Sequence, residues 1–263
     1  MDVRALSFTG STRTGRFIQE AASKSNLKVV LLELGGKSPA IVFDDADLDV
    51  AVADTQLSMR TNSGQMCMAN SRVYVQDTIA EKFTALFKAK FSSSAVVGDP
   101  THPETNHGPQ ADKIQHENVQ RYIEIGKEEG TLVLGGEETS DTAGYFIRPT
   151  IFVDTPEDAR IMKEEIFGPV VVINVFSTEE EVMTKANNSE YGLYASVYTK
   201  NLDRAMRFVR GLEAGTVGVN CTSPTVAKDL PFGGYKGSGI GREGLHCSMN
   251  NFLETKSVMI KTA

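Results

Sequence analysis

Two unbroken apolar runs, Val29-Val30-Leu31-Leu32 and Val170-Val171-Val172-Ile173, constrain this chain more than any other feature. A strand with one wet face alternates apolar and polar residues. A strand that is apolar on both faces needs cover on both sides, and that is the setting of a parallel sheet sandwiched between helices. Both runs fall far short of the roughly 20 residues that cross a bilayer, so they belong in a protein core.

The intervening segments fit that setting. Arg4 to Thr9 reads as a strand, Thr14 to Ser25 as a helix opened by a glycine turn, and Lys28 to Leu34 as the first buried strand. Asp45 and Asp47 supply capping carboxylates for a helix reaching about residue 60. Ile79, Phe83, Leu86, Phe87 and Phe91 share one face at helical spacing. A long polar helix follows Gly108-Pro109, then a short strand Thr131 to Leu134 ending in Gly135-Gly136. After the strand Val170 to Phe176, Ser177 with Glu180 forms a capping box. Strand Tyr194 to Thr199, a helix over 202–213 and strand Thr216 to Asn220 complete an α/β pattern with a mainly parallel sheet. The chain opens on a strand and closes on the strand-like tail Ser257 to Ala263. Unpaired strands of this kind promote assembly, so the expectation is a homo-oligomer formed through an exposed sheet edge or the tail.

Composition removes several function classes. A net charge of −7 argues against nonspecific nucleic-acid binding. The N-terminus MDVRALSFTG lacks the basic and apolar regions of a secretory signal, and nothing spans a membrane. Three widely spaced cysteines, with no CxxC or His-rich spacing, argue for a reduced cytoplasmic protein and against a zinc site. The four histidines show no grouping and read as surface residues.

Some positions carry possible chemistry. The turn Gly10-Ser11-Thr12-Arg13-Thr14-Gly15 lets the chain leave a strand sharply and presents helix N–H groups to an anion. It is neither GxGxxG nor a P-loop, and an ordinary strand–helix turn reads the same way. Glu33 ends an apolar strand before Gly35-Gly36; at a cleft mouth burial would raise it toward a general base, and in solvent it would be an ordinary glutamate. Cys67 lies between Met66 and Met68, which is a nucleophile's position only if its surroundings activate it, and otherwise that of a core filler. Glu165 and Phe167, at the entrance to the second buried strand, read either as a carboxylate and an aromatic for ribose hydroxyls and a flat ring or as an acidic loop with a core phenylalanine. Phe232 stands in the glycine-rich loop Pro231 to Gly239.

Taken jointly, FTGSTRTG, LELGGKSP, NSGQMCMANSR, EEIFGPV, NCTSPTVAKDLPFGGYKGSG and NFLETKSV resemble the aldehyde dehydrogenase superfamily in wording, order and spacing. Glu33 and Cys67 stand 34 positions apart (67 − 33), as the family's base and nucleophile do. The resemblance implies oxidation of an aldehyde to a carboxylate with NAD or NADP. Cys67 would form a thiohemiacetal and then a thioester, which Glu33 hydrolyses through an activated water. It assigns Gly10, Ser11 and Gly15 to the cofactor's pyrophosphate region and Leu34 to the nicotinamide's surroundings. Glu165 becomes the nicotinamide-ribose ligand, Phe167 the packing beside the ring, and Met66, Met68 and Phe232 the aldehyde pocket. It divides the chain into a remnant of the NAD(P)-binding domain (1–35), a catalytic domain (36–236) and a C-terminal return segment with a tail strand (237–263). The match covers the second half of the family pattern, which leaves two further expectations open: a short non-redox thiol enzyme, or a non-catalytic interaction protein.

Overall fold

The computed structural model describes residues 2–99, 101–137, 144–222 and 229–262. In chain order the strands are β1 (Ala5–Thr9), β2 (Val29–Glu33), β3 (Pro39–Val42), β4 (Arg72–Gln76), β5 (Thr131–Leu134), β6 (Thr150–Val153), β7 (Val170–Phe176), β8 (Tyr191–Gly192), β9 (Tyr194–Tyr198), β10 (Thr216–Val219), β11 (Tyr235–Lys236) and β12 (Gly239–Ile240). The helices are α1 (Thr12–Ser25), α2 (Leu48–Arg60), α3 (Ala80–Ser94), α4 (Lys113–Glu129), α5 (Arg160–Lys163), α6 (Glu179–Asn187), α7 (Leu202–Gly211) and α8 (Leu245–Asn250). A seven-stranded sheet runs in the order β10-β9-β3-β4-β7-β6-β5, and every pairing in it is parallel except β5 with β6. A smaller sheet holds β1 and β2 in parallel, with β12 antiparallel on the far side of β2.

The apolar runs are explained by what covers them. Along β7, Val170 and Val172 enter a core with Val119, Tyr122 and Ile123 of α4, Ile161 of α5, Val182 of α6 and Phe208 of α7. The alternate residues Val171 and Ile173 enter a second core with Ala51, Val52 and Met59 of α2 and Phe83, Phe87 and Phe91 of α3. Each face of the large sheet thus has its own helical layer, and the period-2 alternation of the strand sorts its side chains between two dry cores. In the smaller sheet Val30, Leu32 and Leu34 pack with Ala22 and Ile18 of α1.

Several local expectations shift. Helix α1 begins at Thr12, two residues before the expected start, because Ser11 caps it by accepting the Thr14 N–H at 3.2 Å. Asp47 alone caps α2, accepting from Asp49 and Val50; Asp45 instead holds Thr199 and Arg204. Leu86 is 37% exposed, so the apolar face of α3 reduces to the three phenylalanines. The capping box before α6 is displaced by one residue: Thr178 accepts the Glu181 N–H, and the Glu181 carboxylate accepts the Ser177 N–H. His107 is fully buried, its Nε2 lying 2.7 Å from the Ile147 carbonyl, contrary to the surface reading. Residues 257–262 join no strand ladder and remain exposed. Ser223 to Lys228, within one of the quoted motifs, lie outside the described residues.

Candidate active site

Five chain segments meet around a cavity of about 550 Å³. The turn after β1 contributes Thr9, Gly10 and Ser11; the end of β2 contributes Glu33, Leu34 and Gly35. The loop between α2 and β4 supplies Gln65 to Met68, and the loop between α5 and β7 supplies Glu165 to Phe167. The first turns of α4 add Gln115 and Asn118. The first two segments are tied together, since the Gly10 N–H donates to the Glu33 carbonyl at 3.0 Å.

Cys67 is delivered by an unusual turn. Asn62, Ser63 and Gly64 all adopt left-handed backbone, with φ of 50°, 54° and 75°. For Asn and Ser this is unfavourable and persists only where surroundings fix it. Ser63 Oγ donates to the Gly108 carbonyl at 2.7 Å. Gln65 Nε2 donates to the Asn62 carbonyl at 2.9 Å, while Gln65 Oε1 accepts the Ala111 N–H at 2.8 Å. A side chain on Gly64 would overlap the Gly168 carbonyl. The turn is thereby locked, and it presents Met66, Cys67 and Met68 to the cavity.

The two glycines after Glu33 admit the other partners. A Cβ on Gly35 would overlap the Glu165 carboxylate, and one on Gly36 would overlap the Cys67 carbonyl oxygen. The Gly36 N–H donates to Glu165 Oε1 at 2.8 Å. Two residues on, Phe167 is left-handed at φ 59° and 38% exposed, a cost for an aromatic residue. Gln115 Nε2 holds it there, donating to the Ile166 and Phe167 carbonyls at 3.1 and 2.7 Å. Gln65, Gln115 and Asn118 escaped the sequence reading. Residues 115 and 118 share one face of the first turns of α4, a signal available from i, i+3 spacing but not distinguishable there from a solvated face.

Charge is unusual throughout the cavity. Burial raises Glu33 to about 7, helped by Glu243 and opposed by Arg242. Burial likewise raises Glu165 to about 7, against the pull of the Gly36 N–H and Lys37. The Cys67 thiol is pushed up to about 11, first by burial and then by Glu33 and Glu165; the backbone N–H groups of Cys67 and Met68 pull it down. Burial thus keeps the thiol protonated at neutral pH and lifts both carboxyls from the ordinary carboxylate range toward neutrality.

Two expected site residues stand elsewhere. Gly15 does not line the cavity; it lies inside α1 where Leu34 packs against it, and a Cβ there would overlap the Leu34 side chain. Phe232 is also outside the lining, because its backbone exchanges hydrogen bonds of 2.8 and 2.7 Å with Glu243, next to β12. Gly10, Ser11, Leu34, Glu165, Phe167, Met66, Met68, Cys67 and Glu33 all line the cavity.

A sequence model described as the aldehyde dehydrogenase family matches residues 1–258. The chain belongs to that family. An aldehyde dehydrogenase of Davidiella tassiana is 49% identical over 261 residues, covering 99% of this chain and 52% of the relative. The mitochondrial aldehyde dehydrogenase of Sus scrofa is 48% identical over 260 residues, covering 99% and 50%. Among solved structures, an indole-3-acetaldehyde dehydrogenase complexed with NAD+ superposes with a TM-score of 0.96 at 39% identity, covering 100% of this chain and 53% of that one. An NAD+ complex of an aldehyde dehydrogenase from Bacillus cereus superposes at 0.95 with 43% identity, again covering 100% and 53%. The chain thus spans about half the length of the aldehyde dehydrogenases it matches.

Proposed function

We propose that this chain carries the thiol, the base and the nicotinamide-side ligands of an aldehyde-oxidising site that uses NAD or NADP. The observation that supports this most is the convergence of Cys67, Glu33 and Glu165 on one cavity, with an exposed Phe167 beside them. The residues fit a dinucleotide. Ser11 and the N-terminal amides of α1 face an anion, Glu165 offers a fixed acceptor to a ribose diol, and Phe167 offers a flat apolar surface. When bound, the nicotinamide supplies a hydride acceptor.

The chain's own residues do the remaining work. Glu33, near 7, takes the proton of the Cys67 thiol, which is otherwise un-ionised at neutral pH. The sulfur attacks the aldehyde carbonyl, and the backbone N–H groups that face the sulfur are placed to donate to the new oxyanion. After oxidation leaves an acyl group on Cys67, Glu33, having released the thiol proton to solvent, draws a proton from a water that attacks the acyl carbon and displaces the thiolate. Met66 and Met68 give the substrate side a soft apolar wall. An ester hydrolase needs only Cys67 and Glu33, and has no use for Glu165 and Phe167.

No described helix is long and apolar enough to cross a membrane, and a cytoplasmic setting accords with three free cysteines. The exposed tail residues Val258, Met259 and Ile260, and β1 at the edge of the smaller sheet, favour self-association. The test measures NADH or NADPH production from several aldehydes, alongside p-nitrophenyl ester hydrolysis, for wild type and Cys67→Ala. Both activities are expected to vanish in the variant, and ester turnover that survives would remove the thiol from the mechanism.

A further inference from the structure

Gly108 to Ala111, just before α4, stand outside the cavity lining, yet each of these residues bonds to the turn that carries the thiol. The Gly108 carbonyl accepts Ser63 Oγ at 2.7 Å, and the Pro109 carbonyl accepts Gln65 Nε2 at 3.3 Å. Gln110 Nε2 donates to the Ser63 carbonyl at 3.3 Å, and the Ala111 N–H donates to Gln65 Oε1 at 2.8 Å. The segment is itself fixed from both ends. The Gln110 N–H donates to the Tyr145 carbonyl at 2.7 Å, His107 Nε2 lies 2.7 Å from the Ile147 carbonyl, and Asp112 caps α4 by accepting the Gln115 N–H at 2.8 Å.

Ser63 is the residue that this segment grips twice. It is 2% exposed with φ at 54°, a conformation that a serine keeps only under restraint. Its hydroxyl is held by Gly108, and its carbonyl, which fixes the peptide plane leading into Gly64, is held by Gln110. Gln110 is 1% exposed, and its own Oε1 has no hydrogen-bond partner among the described residues. A buried amide with an open acceptor costs more than an apolar side chain of the same size, so its place there calls for a reason. The reason is its donor end, aimed at the carbonyl of a strained residue on the way to Cys67.

We propose that Ser63 and Gln110 are positioning residues for the nucleophile, locking the left-handed turn onto the Gly108–Ala111 segment in the conformation that presents Cys67 to the cavity. The proposal rests on the reading of Cys67 as the nucleophile. The test compares the full chain with Ser63→Gly, Ser63→Ala and Gln110→Met. Glycine accepts left-handed backbone without strain, so Ser63→Gly removes the hydroxyl bond while leaving the turn's backbone permitted. Three quantities are read on each: kcat and KM for p-nitrophenyl acetate, the rate of iodoacetamide labelling of Cys67, and hydrogen exchange of the peptide covering residues 108–112. In each variant kcat should fall about 10- to 100-fold, with KM within about twofold of wild type. Iodoacetamide needs no aligned carbonyl and should label Cys67 at least as fast as in wild type. Exchange over 108–112 should quicken, because the Ala111 N–H loses a fixed acceptor. A kcat within about twofold of wild type in natively folded Ser63→Gly and Gln110→Met overturns the proposal. So does a raised KM at unchanged kcat, or labelling that slows together with kcat, since either shows a role in the cavity wall or in general folding. Ester turnover that is absent from wild type, or that survives Cys67→Ala, would instead refute the nucleophile reading. The exchange over 108–112 then still decides whether Ser63 and Gln110 hold the turn.

Discussion

Replacing Glu33 by Gln separates the base from the rest of the site. The carboxyl is raised to about 7 chiefly by burial, so its ionised fraction sets how much base is available near neutrality. With that midpoint the fraction rises from roughly a tenth at pH 6 to roughly nine-tenths at pH 8, a change of about tenfold in any rate that needs the base. Gln keeps the size and the strand position but cannot take a proton. The assay is p-nitrophenyl acetate hydrolysis followed from pH 5 to 8.5, which needs no cofactor. Wild type should show a limb of unit slope bending near 7; Glu33→Gln should lose the limb and fall by about 10²- to 10⁴-fold on the plateau. Glu165 also titrates near 7, so Glu165→Gln is the control and should keep the limb. A limb that persists in Glu33→Gln and disappears in Glu165→Gln would refute the assignment of the base.

Further outcomes follow from the same geometry. Gly36→Ala places a methyl group on the Cys67 carbonyl oxygen, a backbone atom that cannot swing aside, and should lose about 1–3 kcal/mol in urea denaturation together with ester turnover; a variant of wild-type stability would show the contact to be adjustable. Because the folded Glu165 is raised above its unfolded value, its contribution to stability is full below about 4.5 and is lost as pH rises through 7. Glu165→Gln should therefore gain on wild type between pH 5 and 8, by up to about 3 kcal/mol, and a gain that is flat or shrinks with pH would contradict this. With the thiol near 11, iodoacetamide labelling of the Cys67 peptide should rise about tenfold per pH unit between 7 and 10, and labelling already at its maximum at pH 7 would mean a pre-formed thiolate.

The sheet was legible because burial leaves a mark in composition. Val170 to Ile173 could be apolar throughout only with a core on each face, and α2 and α3 cover one side while α4 to α7 cover the other. Glu33 was legible as a charge interrupting such a run, and Cys67 only through the motif around it. Other features were hidden for identifiable reasons. Gln65 and Gln115 each reach backbone groups 44 to 52 positions away, Gln65 besides its local bond to Asn62, so no local pattern announces these long-range ties. Three consecutive left-handed residues at 62–64 are imposed by tertiary contacts, because Ser63 has no intrinsic preference for that region. Lys37 reads in sequence as an ordinary polar residue beside a glycine pair, and its burial becomes visible only when Arg72 arrives from a distant segment. Phe232 stands outside the cavity lining, and an aromatic in a glycine-rich loop gives no sign in sequence of where its backbone pairs, here with Glu243.

The central claim is that Cys67 carries the acyl group and Glu33 removes it. Acid-quenching Glu33→Gln after brief exposure to p-nitrophenyl acetate, then mapping its peptides by mass spectrometry, measures both halves together. One acetyl group is expected on the peptide bearing Cys67, persisting for longer than in wild type. Acetylation confined to peptides bearing Cys221 or Cys247, or an acetyl on Cys67 that turns over as fast as in wild type, would contradict it.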